Sequence, residues 1–132
     1  AAVRAVRRAD LVLLGPGSTF TSVVPNLLVP ELGHAVAAAS DRVVYICNLE
    51  AQPGETSGFA PEGHLAAILA HSPGLRVGAV LCQQPCDAAA AEREVRAFAA
   101  LDARVVHAEL AAGDAPGRHD PARLAAALKE LG

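Results

Sequence analysis

Two short stretches of this 132-residue chain carry residue types suited to holding a phosphorylated ligand. The first is Leu11 to Asn26, LVLLGPGSTFTSVVPN. Gly15 and Gly17 let a backbone approach a ligand closely and take positive φ. Ser18, Thr19, Thr21 and Ser22 then open a helix, whose first N–H groups lack intrahelical partners and lie at the positive end of its dipole. Phosphate or another anion binds well in such a place. An ordinary strand-to-helix turn capped by Ser18 has the same local pattern. The second stretch is Asn48 to Gly58, NLEAQPGETSG. Asn48 and Gln52 can donate and accept at once, which suits a base edge or a sugar. Glu55 can accept from sugar hydroxyls or hold a divalent cation against a phosphate, so magnesium travelling with a nucleotide is the cofactor to consider. Turn chemistry and capping are the structural alternative for Asn48, Gln52 and Thr56.

Other chemistries find less support. GPGST places Ser18 after the second glycine, so the G-x-S-x-G elbow of a serine hydrolase is absent. No GxxxxGK[ST] loop occurs. His34, His64, His71, His107 and His119 have no partner at HxxxH spacing, and each reads as a structural histidine. Cys82 and Cys86 are spaced CxxxC, unlike a zinc knuckle. Three cysteines, two of them in apolar runs, suggest reduced thiols in a cytoplasmic protein. A net charge of −3 without a basic block argues against nucleic acid as a partner. No apolar run reaches the length of a membrane span.

The elements that must position these loops alternate. Leu11–Leu14, Val43–Cys47, Val77–Cys82 and Val105–Glu109 read as strands, apolar enough to be buried on both faces. Residues 1–8 read as the tail of a helix. Further helices follow Ser18, start at Pro30 and at Pro61, run from an Asp87 cap to about Leu101 with a Glu92–Arg96 pair, and start at the Asp120 cap. Residues 111–118 read as a loop containing Gly and Pro. With 52% hydrophobic and 19% charged residues, the chain reads as one globular α/β domain over 1–132. Alternation implies a mostly parallel sheet with helices on both faces, a Rossmann-like three-layer sandwich. Ligands bind outside the carboxyl ends of such strands, where both glycine-bearing loops fall. If their strands are neighbours, the loops share one crevice. The chain contains no methionine, so the expectation is a piece whose N-terminal part lies elsewhere.

GPGSTFTSVVPNLLVPEL, VYICNLEAQPGETSGFAPEGHL and RHDPARLAAAL together resemble the C-terminal half of the YvcK/CofD-like family, whose YvcK branch comprises the gluconeogenesis factors. The resemblance implies a Rossmann-like fold and a cytoplasmic regulator. Such a regulator binds a UDP-sugar of the UDP-N-acetylglucosamine type and influences cell shape, cell-wall synthesis and carbon use. It implies ligand-binding roles for Gly15, Pro16, Gly17, Ser18, Thr21, Ser22 and Asn26 in the first motif. In the second motif it implies them for Asn48, Gln52, Pro53, Gly54, Glu55 and Thr56. It assigns no catalytic residue and no resident metal, and it leaves a homo-oligomer open. The alternative within the family is the CofD branch, a magnesium-dependent 2-phospho-L-lactate transferase of coenzyme F420 biosynthesis. Thr19-Phe20 stands here in place of the Leu-Tyr usual in the YvcK branch, and Ser57 in place of Asp.

Overall fold

A computed structural model describes residues 1–49 and 60–131, the side chain of Pro116 aside. Helix α1 (Ala2–Arg8) leads to strand β1 (Val12–Leu14). A π-helical turn over Thr19–Val23 passes into α2 (Val24–Leu27), and α3 (Pro30–Ala38) follows. Strand β2 (Val43–Ile46) precedes α4 (Pro61–Ala70), β3 (Ala79–Gln83), α5 (Ala88–Ala99) and β4 (Val105–Ala108). A hairpin of β5 (Ala111–Ala112) and β6 (Ala115–His119) then leads to α6 (Pro121–Leu131).

The four long strands form one parallel sheet in chain order, β1-β2-β3-β4. Right-handed crossovers between successive neighbours put every crossover helix on the same face. The packing agrees. Val12, Leu14, Val43, Tyr45, Val80 and Cys82 on that face meet Val24 and Leu27 of α2, Val36 of α3, Leu65 and Ile68 of α4, and Phe98 of α5. Phe98 is fully buried, and burial of a side chain of that kind contributes about 1.5–3 kcal/mol. The alternate residues Val44, Ala79 and Leu81 point to the other face, where Leu110 and the Leu124, Ala127, Leu128 and Leu131 stripe of α6 cover them. Helices therefore lie on both faces, as the alternation of the sequence requires, but α6 alone serves the second. Leu13, on the edge strand β1, stays 44% exposed.

Two expectations need correction. Residues 111–118 are not a plain loop: Ala111 pairs with His119 and Ala112 with Ala115 in an antiparallel hairpin. Gln83 makes that turn possible, because its Oε1 accepts from the N–H groups of both Leu110 and Ala111 at 2.8 Å. Glu92 and Arg96 are not an ion pair among the described residues. Arg93 reaches across to Glu62 on α4 at 2.9 Å, and Glu94 meets His107 on β4 at 2.8 Å. The Asp87 and Asp120 caps form as read, with Asp87 accepting from Ala90 and Asp120 from Ala122 and Arg123.

Candidate functional site

The site is built where β1 and β2 end. The two strands are parallel neighbours, with Leu14 beside Tyr45, so the segments that follow them emerge side by side. Gly15 turns the chain with φ +81°, and a Cβ there would lie 2.9 Å from the carbonyl oxygen of Ile46. Only glycine combines that backbone conformation with that approach. The peptide bond from Gly15 to Pro16 is cis.

Asn48 then clamps the turn. The Gly17 N–H donates to Asn48 Oδ1 at 3.1 Å, and Asn48 Nδ2 donates to the Gly17 carbonyl at 2.9 Å. The first residue of the second motif thus grips the centre of the first. This geometry spends the Gly17 N–H on the protein itself. Asn48 accordingly shapes the loop, and the amide it holds is no longer open to an anion.

The next residues are anchored from beneath. Ser18 caps the following turn, its hydroxyl accepting from the Thr21 N–H at 3.3 Å. Ser22 and Val23 both donate to the Ser18 carbonyl, and the Val24 N–H reaches Thr19, which widens the turn to a π-helix. Pro25 has no N–H to continue an α-helical ladder through this point, a local reason for the widened register. Thr19 is fully buried, and its hydroxyl lies 2.9 Å from Nδ1 of the buried His64 on α4. It also hydrogen-bonds Tyr45, whose phenol burial pushes up, away from ionisation. One residue of the loop is therefore tied at once to β2 and to α4.

A cleft of about 340 Å³ opens beside this loop. Gly15, Pro16, Gly17, Ser22 and Asn26 form its polar end, and aliphatic side chains from α1, β1, α2 and α3 form the rest. Asn48 is not part of its wall. Asn26 bonds back to the Ser22 carbonyl at 2.6 Å and presents that turn to the cleft. Thr21 and Ser22 are exposed. Of the second motif, Asn48 is described, whereas Gln52, Pro53, Gly54, Glu55 and Thr56 lie outside the described residues.

The sequence shows Thr19 as one of the helix-opening hydroxyls and His64 as structural, but not that both meet with Tyr45 in the interior. Their signal is burial, which single-residue chemistry does not reveal. The sequence reads His119 as structural. The His119 ring lies against the Cys47 carbonyl, and burial outweighs that contact to pull its pKa below the usual histidine value. Cys47, directly after β2, lies beside Cys82 of β3, both buried, while Cys86 is exposed. A hydrogen bond that the Cys82 thiol donates to Cys47, together with burial, pushes its pKa far up, so thiolate chemistry is disfavoured there. Among the described residues no group of His, Cys, Asp and Glu is arranged to hold a metal ion, and no helix is long and apolar enough to cross a membrane.

Comparison with known proteins places this geometry. The family model described as 2-phospho-L-lactate transferase CofD matches residues 1–126. A Mycobacterium tuberculosis relative, provisionally named a gluconeogenesis factor, is 45% identical over 129 residues, covering 96% of this chain and 37% of that protein. The gluconeogenesis factor of Bacillus subtilis is 48% identical over 66 residues, half of this chain and 21% of its own length. The chain thus spans little more than a third of the first relative it matches. A crystal structure of a UPF0052 family member from Bacillus halodurans superposes with a TM-score of 0.81 at 32% identity, over 96% of this chain and 45% of that one. The parallel sheet is that of this fold, and the chain belongs to the CofD family, among relatives named gluconeogenesis factors.

Proposed function

We propose that this chain forms part of a YvcK-type gluconeogenesis factor that binds a nucleotide-sugar of the UDP-N-acetylglucosamine class. In this reading it acts in the cytoplasm as a regulator of cell shape, cell-wall synthesis and carbon use, without catalysing a reaction. The observation that carries the reading is the double bond between Asn48 and Gly17. It brings Asn48, the first residue of the second motif, onto the GPGS turn at the carboxyl ends of two adjacent parallel strands, the usual place for a ligand in such sheets. The phosphates would lie along Gly15, Pro16 and Ser18 with the hydroxyls of Thr21 and Ser22. The cleft beside Asn26 would take the less polar part of the ligand. Gln52, Pro53, Gly54, Glu55 and Thr56 would complete the sugar end, with magnesium, if used, held between Glu55 and the phosphates. Titration of the complete protein with UDP-N-acetylglucosamine tests this: ligand at about 100 times its Kd adds about 2.7 kcal/mol of stability, read as a rise in Tm. No rise at millimolar ligand overturns it.

The family model's description favours one second reading, a CofD-like transferase joining 2-phospho-L-lactate to a deazaflavin. Incubation of the complete protein with magnesium, the activated phospholactate donor and the deazaflavin acceptor decides between the two. A coupled product supports the transferase, and its absence alongside UDP-sugar binding supports the regulator.

A further inference from the structure

Strand β1 is an edge of the sheet, with β2 on one side and no strand on the other among the described residues. On β2, the Val43 carbonyl accepts from Gly78 and the Cys47 N–H donates to Leu81, so these residues bond toward β3. Backbone polar groups alternate from side to side along a strand, and those of Val44 face β1. Val44 stands level with Leu13 and therefore bonds the residues on either side of it, Val12 and Leu14. The N–H and C=O of Leu13 point out of the open edge.

The cleft beside the GPGS turn runs along that edge. Val12, Leu13 and Leu14 all line it, although successive side chains of a strand project to opposite faces. The strand carries no charge and no proline, the usual protections of an exposed edge. Parallel strands are normally buried on both faces, yet the α6 stripe covers Val44, Ala79 and Leu81 of β2 and β3 and leaves Leu13 half-exposed.

We propose that this edge is the seam along which the complete protein continues its sheet, and that its occupant is a parallel strand of the same polypeptide lying N-terminal to α1. The handedness of the fold selects that occupant. Val6 of α1 packs into the same cluster as Val36 of α3, so both helices lie on one face. Crossovers on this face carry the chain from β1 toward β4. A crossover of the same hand through α1 starts from a strand on the far side of β1, at its open edge. The family has chain enough to supply it, because this chain covers 45% of the UPF0052 structure on which it superposes. A second copy fits less well, since a two-fold axis would set β1 antiparallel to its mate in an otherwise parallel sheet. The added strand fills the aliphatic length of the cleft and leaves its polar mouth at Gly17 and Asn26 open. This seam stands whether or not a nucleotide-sugar binds.

Amide hydrogen exchange at residue resolution in the complete protein reads the Leu13 N–H directly, with the Leu14 N–H, bonded to β2, as the standard. In a stable ladder Leu13 should exchange at least about a hundredfold more slowly than in an unstructured chain, and within about tenfold of Leu14. Fast exchange at Leu13 beside a protected Leu14 overturns the proposal. Leu13→Cys in a Cys86→Ser background then carries a photo-crosslinker whose attachment is mapped by mass spectrometry. Attachment to a segment N-terminal to Ala2 is the expected result. Attachment confined to residues 1–132, or to a segment beyond them on the C-terminal side, overturns it. So does attachment between isotopically distinct copies, which assigns the edge to self-association.

Discussion

Asn48 holds Gly17 by both of that residue's backbone polar groups, at 3.1 and 2.9 Å, across thirty-one positions of sequence. A side-chain amide in this arrangement imitates a paired strand residue, accepting from the N–H and donating to the C=O. It extends the pairing of β1 and β2 past the point where the strands themselves end. The shape of the GPGS turn is thus set by tertiary structure.

Asn48→Ala removes both bonds and leaves two partly buried groups on Gly17 unpaired, which should cost about 1–3 kcal/mol in urea unfolding. Asn48→Asp keeps the acceptor but turns a second oxygen toward the Gly17 carbonyl, so it should destabilise at least as much despite its matching shape. An Asp variant as stable as the parent would show that the donor half of the clamp contributes nothing.

Glycine substitutions should rank by surroundings. Gly15→Ala meets both a positive φ and a backbone oxygen at 2.9 Å, a contact that cannot be relieved by a side-chain rotation. Gly74→Ala has φ +88° with open space around it. The left-handed conformation alone costs about 1–2 kcal/mol, so Gly74→Ala should lose about that much and Gly15→Ala distinctly more. Gly113→Ala, with open space and no positive φ, is the control. Denaturation midpoints of the three variants check the order.

Thr19→Val keeps the shape of a fully buried side chain while removing the hydroxyl that serves His64 and Tyr45. The expected loss is about 1–3 kcal/mol by the same unpaired-group argument. Thr19→Ser keeps the hydroxyl and removes one methyl, for a loss of about 1 kcal/mol. A Val variant less harmed than the Ser variant would mean that packing, not the buried hydrogen bond, holds the turn to α4.

His119 gives stability a pH dependence of known sign. Its pKa is lower in the folded protein than the ordinary 6.5, so between the two values the unfolded chain binds more protons. Stability then rises with pH through that window. The contribution is fully present above the ordinary value and is lost as pH falls from about 6.5 toward the folded pKa. On going from pH 7 to pH 5 the parent should therefore lose more unfolding free energy than His119→Asn, which has no group titrating there. A constant difference across that range would contradict the shift.

Thiol titration should distinguish the cysteines. Cys86 is exposed, whereas Cys47 and Cys82 are buried and Cys82 is held protonated. An aromatic disulfide reagent should modify one thiol rapidly in the native protein and all three in denaturant.

Much of this architecture is written locally. The β-branched runs before Cys47 and Cys82, the Asp87 and Asp120 caps and the prolines at Pro30, Pro61 and Pro121 each state their element directly, and the structure places helices where these signals begin. Gly-Pro-Gly after LVLL likewise announces a turn at a strand end. The hairpin at 111–119 was missed because its strands are short and built of Ala, Pro and Gly. Its pairing depends on Gln83, twenty-eight positions away, to satisfy the N–H of Ala111. The ion pairs of α5 were misread for a similar reason: helical spacing favoured Glu92 with Arg96, but packing offered Glu62 to Arg93. In the candidate site, residue types pointed to the surface hydroxyls and to Asn48. They gave no sign that Asn48 would be spent on Gly17, or that Thr19 would face inward. Such roles depend on which strands become neighbours, and spacing alone leaves that conditional.

The order β1-β2-β3-β4 follows the order of synthesis. Each strand leaves the ribosome when the neighbour it must pair with has already been made, so the sheet can lengthen one rung at a time without waiting for a later segment to insert. Helix α6, which closes the second face, arrives after all four rungs. Until then Val44, Ala79 and Leu81 lack the cover that its Leu124, Ala127, Leu128 and Leu131 supply. Truncation before Pro121 should therefore bare this apolar face and favour aggregation.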